Sequence, residues 1–463
     1  MKNKLIISLI ALVLILVLTV SVTACFFIYP NFTQNSTNTT IGNIQKPDTE
    51  ERDPIDYTTT FLYVDALFKY YSIFDVDYEA TMLAAIRAYI EATGDKYAIY
   101  YTEEEYQALN QENNGDLYGI GVQVIFNYEE GCMEIVLVMP DSPALAHLQI
   151  GDKITHIFVE DEKIALADVF AENKEKIAQI HTSFTEEENK IAAGNETLNY
   201  AVANLKGPEG TFAHFIANRE GVEFDMNIQR AKVKTVSVTA KTSIRDNTVG
   251  IVSISQFDLT TPTQFKNCMN TLIESGCDKF VFDLRNNPGG DLASLKAVLS
   301  TILNKGDKII ITKDNDGTVE ESKVGVVNAH TGDYSTCNVT ADEIGMYGKY
   351  DMVVLVDENS ASAAELFTAA LRDHEKAKIV GEKTFGKGSV QSILPLNYFE
   401  GALGALRITT MLYFPPCGES YNGIGITPEY VVELEGIAAE THFYKLTEEI
   451  DNQLQKAVSL LID

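Results

Sequence analysis

The sequence predicts a multidomain protein of the α/β (α+β) class, and three observations carry that expectation. Its 463 residues exceed what one compact domain usually holds. From Val233 onward, apolar β-branched runs alternate with helical stretches, as in an α/β layer. Ahead of that region, Gly115 to Lys232 reads as short alternating strands broken by turn residues, a separate β-rich unit.

Composition fits a globular chain with a large core, at 45% apolar and 22% charged residues. A formal charge of −30 repels nucleic acid and anionic lipid, which argues against a basic groove and against nucleic acid as a partner. The six cysteines, Cys25, Cys132, Cys268, Cys277, Cys337 and Cys417, form no C-x-x-C pair, and the seven histidines include no H-E-x-x-H. No metal site and no cofactor is expected. Cys268 and Cys277 lie close enough in sequence to invite a bridge, although spacing alone does not assign one.

Lys2 and Lys4 precede an uncharged run from Leu5 to about Tyr29. That run exceeds the roughly 7–15 residues of a signal-peptide core and suits the ~20 residues of a membrane-crossing helix. Residues 1–29 therefore read as a single-pass anchor in the cell membrane, with the lysines in the cytoplasm. Val22-Thr23-Ala24-Cys25 is also similar to the lipobox of bacterial lipoproteins, so a lipidated Cys25 or a secreted form stays open. Either route puts the rest outside the cytoplasm. Residues 30–56, rich in Asn, Thr, Pro and charge, read as a disordered tether.

Residues 57–112 read as a helical region, with one apolar stripe at Leu62, Leu67 and Tyr70 and another at Met82, Ile86, Tyr89 and Ile90. Thr102 and Glu105 form a capping-box pattern that opens a further helix. In the unit 113–232, strands run from Gly121 to Phe126 and from Met133 to Val138. An acidic, lysine-rich stretch at about 160–199 reads as a helical surface insertion, after which a strand resumes at Tyr200 to Leu205. In the unit 233–437, strands at 249–254, 280–284 and 352–356 alternate with helices at 262–275, 292–303 and 361–372. Asp314-Asn-Asp-Gly317 reads as a hairpin turn, too short for a calcium loop. Residues 438–463 end in a helix from Leu446 to Leu461.

Three segments carry chemistry. In Asp357-Glu-Asn-Ser-Ala-Ser-Ala-Ala-Glu365 an apolar strand passes through a short polar loop into a helix. A serine at such a corner exposes its Oγ beside N–H groups at the positive helix end, although Ser360 or Ser362 also suits a plain N-cap. In Gly381-Glu-Lys-Thr-Phe-Gly-Lys-Gly-Ser-Val-Gln391 two glycines flank Lys387, so the backbone can turn an amine into a packed site. A lysine is a base only when neutral, which requires desolvation; otherwise this is a flexible loop with a solvated amine. Phe282-Asp-Leu-Arg-Asn-Asn-Pro-Gly-Gly290 is a strand ending in a glycine turn, either a mere terminator or the source of an unshielded N–H donor.

Together these segments resemble the C-terminal processing peptidases, also called tail-specific proteases, from about Thr58 to the C-terminus. Gly94-Asp95, Gly119-Ile-Gly-Val122, Pro140-Asp-Ser-Pro143, Gly207-Pro-Glu-Gly210 and Gly423-Ile-Gly-Ile-Thr-Pro428 extend the likeness. The resemblance implies a ClpP/crotonase-like protease core over 233–437, an inserted PDZ-like β-domain over 113–232, an N-terminal helical region and an N-terminal membrane anchor. It implies a Ser–Lys dyad with Ser362 as nucleophile, Lys387 as general base and Gln391 orienting the lysine. Asp373, in the helix after the serine, stands where some members carry a contributing aspartate. The oxyanion hole would join the Ala363 N–H to that of Gly289, with Gly290 the alternative. Departures lie in the Asp357-Glu-Asn359 approach to the serine, in Cys417 and in the 160–199 stretch.

The expected activity is therefore serine endopeptidase action on unfolded or partly folded proteins. Their free C-termini would add as a strand at Gly119, Ile120, Gly121 and Val122. A catalytically inactive tail-binding scaffold is the alternative, opposed by the presence of both Ser362 and Lys387. Whether copies assemble is left open by the sequence.

Overall fold

In a computed structural model, the structure describes residues 57–113, 116–180, 184–325, 338–399 and 401–462. The expected anchor, the tether, Cys25 and Cys337 lie outside them. Among the described residues no helix is long and apolar enough to cross a membrane. The chain divides into two units, one ending at Thr81 and one running from Met82 to Asp463. The first holds α1 (Tyr57–Tyr71), none of whose residues is buried.

The helix α2 (Tyr78–Ala92) leads into the second unit through β1 (Ile99–Tyr101) and α3 (Glu103–Asn113). The capping box forms as the sequence predicts: the Glu105 N–H donates to Thr102 Oγ1 at 3.2 Å and the Thr102 N–H to Glu105 Oε2 at 2.8 Å.

The next region pairs β2 (Asp116–Gly119) with β9 (Ala231–Lys234) and builds a sheet ordered β3-β4-β5-β7-β8. Its strands are β3 (Val122–Asn127), β4 (Cys132–Val138), β5 (Lys153–Val159), β7 (Phe212–Arg219) and β8 (Val222–Gln229), with β6 (Glu162–Ala165) alongside β5. Met133, Ile135, Ile154, Ile157 and Phe215 form its core. The stretch read as a surface insertion is helical but not superficial. It forms α4 (Leu166–Ile180) and α5 (Glu186–Leu205), and α5 buries Ala193, Thr197, Ala201 and Leu205. These residues recur every fourth position, a helical period that continues through Tyr200–Leu205, so that segment is the end of α5 rather than a strand. A glycine faces the sheet within it, because a Cβ at Gly194 would come within 2.8 Å of the Phe126 ring.

The rest is an α/β layer. A six-stranded sheet runs β10-β11-β12-β15-β16-β19, made of β10 (Val238–Thr242), β11 (Val249–Ile254), β12 (Lys279–Asp283), β15 (Asp351–Val356), β16 (Ala377–Gly381) and β19 (Tyr430–Val431). All but β10 are parallel to their neighbours. Both faces are covered, which is why its strands read as continuous apolar runs. The register row Val252, Phe282, Val354, Ile379 packs with residues of α6 (Thr261–Glu274), α7 (Leu292–Ser300) and α8 (Ala363–Asp373). On the opposite face, Ile251, Val281 and Val353 pack with Leu454, Ala457 and Val458 of the terminal helix, which follows the short α9 (Ile437–Glu440) as α10 (Asn452–Ile462) and starts later than its sequence suggests.

A second sheet was read from the sequence only at one hairpin turn. It runs β1-β18-β13-β14, from β13 (Lys308–Asp314), β14 (Val319–Lys323) and β18 (Ala405–Phe414), with β17 (Ser389–Pro395) on β18. Asp314–Gly317 turns between β13 and β14, as predicted. Cys268 and Cys277 are free thiols, so the bridge their spacing invites is not made.

Candidate active site

Three of the loops that carry the predicted chemistry leave the carboxyl ends of adjacent parallel strands: 284–290 after β12, 357–362 after β15 and 382–388 after β16. In open α/β sheets this edge is where ligands bind.

Ser362 begins α8 with φ 56° and ψ −115°, left-handed backbone in a residue other than glycine. Such strain persists only where the surroundings enforce it. Here the Ala361 N–H donates to the Asn287 carbonyl at 2.9 Å and the Ser362 N–H to Glu365 Oε2 at 2.9 Å. Gly289, with φ 99°, lies directly against the corner. A Cβ there would stand 2.7 Å from Ser362 Cβ and 2.8 Å from the Ala363 nitrogen.

Glu365 is fully buried and its carboxylate is saturated. Oε1 accepts from Thr384 Oγ1 at 2.6 Å and from the Gly386 N–H at 2.7 Å, while Oε2 accepts from the N–H groups of Ser362 and Lys387 at 2.9 and 2.8 Å. Burial raises its pKa, and these four donors oppose the rise. The side chain thus ties the loop bearing Lys387 to the helix bearing Ser362. Its place was legible, because Ser362-Ala-Ala-Glu365 spells a capping box; its grip on residues 384–387 was not.

The Lys387 amine is half-buried, and its pKa is lowered by desolvation and by Arg407, with Glu365 opposing. It lies 4.8 Å from the centre of the Tyr97 ring. Among the described residues no hydrogen bond joins Lys387 Nζ to Ser362 or to Gln391. Instead, Tyr413 on β18 lies beside both segments: its hydroxyl donates to the Lys387 carbonyl, and the Ser362 side chain interacts with its phenol. Burial raises the Tyr413 phenol well above its ordinary pKa. Gln391 turns to Ser389 Oγ at 2.9 Å and Thr409 Oγ1 at 3.3 Å, and Asp95 accepts from Thr409 at 2.8 and 2.9 Å. Ser362 and Lys387 are thus carried on one clasped framework, with no hydrogen bond between their side chains among the described residues.

The expected donors divide. The Gly289 N–H donates to Asn287 Oδ1 at 2.8 Å, whereas the N–H groups of Gly290 and Ala363 have no hydrogen-bond partner among the described residues. Asp373 does not join the site. It ends α8, ten residues and so about 15 Å along the helix from its start. There it pairs with Arg372 at 2.7 Å and accepts from the Cys417 N–H at 2.9 Å.

Behind the glycine turn, Arg285 is buried and bridges Asp283 at 2.8 Å and Asp451 at 2.7 Å, with Phe443 over its guanidinium. In the β-rich region, Gly119, Ile120, Gly121 and Val122 line a cleft of about 70 Å³ together with Val202 and Leu205 of α5. The Ile120 and Gly121 carbonyls accept from Ala144 and Met139, while their own N–H groups have no partner among the described residues. The C-terminal segment touches this region too, through Lys445 and Glu134 at 2.8 Å.

Comparison with known proteins adds a family. A family model described as Peptidase family S41 matches residues 248–432. The carboxy-terminal-processing protease of Bartonella bacilliformis is 32% identical over 349 residues, covering 73% of this chain and 67% of that protein. A protein of Staphylococcus haemolyticus described as a probable CtpA-like serine protease is 29% identical over 347 residues, covering 75% of this chain and 59% of its own. The chain thus spans about three-fifths to two-thirds of the length of these relatives. Among solved structures, a photosystem II D1 C-terminal processing protease aligns over 80% of this chain and 86% of its own, at 19% identity and a TM-score of 0.42.

Proposed function

The chain belongs to peptidase family S41, a family of serine peptidases, and from that premise we propose that it is an exported endopeptidase working through Ser362 and Lys387. The observation that carries this reading is the Glu365 carboxylate, which holds the backbone N–H groups of both residues and so keeps a strained serine and a desolvated lysine on one frame.

In this reading neutral Lys387 takes the Ser362 proton as Oγ attacks a peptide carbonyl, and then returns it to the leaving amine before water releases the acyl group. Contact requires Lys387 Nζ to leave the Tyr97 ring and Ser362 to leave Tyr413. The oxyanion is held by the Ala363 and Gly290 N–H groups. Gly290 is preferred to Gly289, whose N–H already serves Asn287.

The β-rich region 116–229 acts as a PDZ-like module. A substrate tail lies between β3 and α5, its carboxylate on the free N–H groups of Ile120 and Gly121. Carboxy-terminal processing, as named for the Bartonella relative, is the corresponding activity. The apolar run at Leu5–Tyr29 tethers the enzyme outside the cytoplasm. Degradation of an unfolded protein with a free apolar C-terminus tests the reading: Ser362→Ala and Lys387→Ala should each abolish it, and amidating the substrate carboxylate should weaken it.

A further inference from the structure

Asp357 stands at the first position of the loop that ends in Ser362, and its carboxylate reaches across to the glycine turn. The Asn286 N–H donates to Asp357 Oδ1 at 2.9 Å and Oδ2 at 3.0 Å. Within its own loop, Oδ1 also accepts from the Asn359 N–H at 3.1 Å and from Ser360 Oγ at 3.0 Å. Asn286, like Ser362, is a non-glycine residue in left-handed backbone, with φ 57°. The carboxylate thus links one strained corner, Asn286, to the loop that leads into the other, Ser362.

The clamp continues through Asn287. Its carbonyl accepts from the Ala361 N–H at 2.9 Å, and its side chain donates to the Ile254 carbonyl at 2.8 Å. The one Ser360 hydroxyl proton is shared between Asp357 Oδ1 and the Leu284 carbonyl, the latter at 2.8 Å. The bonds of Asn286 and Asn287, with that of Ser360 to Leu284, tie the stretch 284–287 to the stretch 357–361 or to β11, and none touches Ser362 Oγ or the Gly290 N–H. What they set is the offset between the two.

We propose that Asp357 is a positioning residue whose ionised carboxylate staples the Asn286–Gly290 turn to the Ser362 loop, fixing the oxyanion donor relative to the nucleophile. This rests on the reading of Gly290 and Ala363 as oxyanion donors. A protonated carboxyl has one oxygen committed as an O–H and can no longer take the Asn286 N–H on both. Asp357 is 7% exposed, and burial pushes its pKa up to about 6, opposed by the Asn286 and Ser360 hydrogen bonds and assisted by the like charges of Glu358 and Asp283. Asp283 is itself paired with Arg285, and the Tyr444 phenol from the C-terminal segment is a further titratable group that interacts with Asp357. The clamp therefore loosens as pH falls through about 6.

The test is the pH profile of peptide cleavage by the full chain. In the wild type, kcat/KM should fall on the acid side through two ionisations, that of Lys387 and a second near pH 6 from Asp357. Asp357→Asn should lower kcat roughly ten- to a hundredfold with KM unchanged and lose the ionisation near pH 6. A wild-type profile with a single ionisation, or an Asp357→Asn enzyme with wild-type kcat or an unchanged ionisation near pH 6, overturns the proposal. Should Asp357→Asn not fold, the wild-type profile alone decides. Ser362→Ala separates the two readings: full cleavage by that variant sinks the nucleophile assignment itself, whereas an inactive Ser362→Ala beside an unaltered Asp357→Asn overturns only the clamp.

Discussion

Glu365 accepts a hydrogen bond from the Lys387 backbone N–H at 2.8 Å, although 22 residues separate them in the chain. The same oxygen takes the Ser362 N–H at 2.9 Å, so the two segments expected to supply nucleophile and base are fastened to one buried carboxylate rather than to each other.

Glu365→Gln tests that fastening. An amide NH₂ has nothing to offer two inward N–H donors, so one side of the clasp opens. Leaving buried donors unpaired costs about 1–3 kcal/mol. The variant should melt several degrees lower, and kcat should fall far more than that stability loss requires, read as thermal unfolding beside steady-state kinetics. A stable variant with full activity would show the clasp to be incidental.

In the proposed mechanism Lys387 sets the pH response. Its pKa is lowered from the ordinary lysine value by desolvation first and by Arg407 next, so the neutral base becomes available at lower pH than in a free lysine. Activity should rise as pH climbs through that lowered pKa. Arg407→Gln removes a neighbouring positive charge, raises the Lys387 pKa and should move the profile to higher pH. Lys387→Arg, always charged, should be inactive. A shift of the Arg407→Gln profile to lower pH would contradict the assignment.

Gly289 is required by space rather than by its N–H. Gly289→Ala would push a methyl to within 2.8 Å of Ser362 Cβ and the Ala363 nitrogen, in a backbone conformation that L-residues avoid. Cleavage should drop by about two orders of magnitude, the scale of displaced catalytic groups, while the chain still folds. Active-site labelling by a serine-directed phosphonate should fall in parallel.

The Arg285–Asp451 pair joins the base of the glycine turn to the entry of α10, both partners being almost wholly buried. Asp451→Ala should cost roughly 3–5 kcal/mol in denaturant unfolding, as expected when a buried pair loses one partner. A loss below about 1 kcal/mol would show that Asp283 alone satisfies the guanidinium.

The sequence made the strands of the central sheet legible because both their faces are buried, leaving unbroken apolar runs such as 280–282 and 352–356. Ser362 and Lys387 were singled out by the resemblance of three segments taken together, since each segment alone also reads as a plain N-cap or a solvated loop lysine. What stayed hidden depends on contacts distant in sequence. Glu365, Asp357 and Tyr413 gain their roles only when separate loops meet, and Tyr97 meets Lys387 across 290 residues. The second half of α5 was misread because Tyr200–Leu205 alternates locally like a strand, while its burial follows a four-residue step from Ala193. Asp373 was named from the resemblance, and the length of its helix carries it away from Ser362.

The most direct measurement is cleavage of an unfolded protein bearing a free apolar C-terminus by the full chain, with Ser362→Ala alongside. The account predicts cleavage by the wild type and none by the variant, although both fold alike. Equal cleavage by the two would contradict the assignment of Ser362, and with it the site built around that corner.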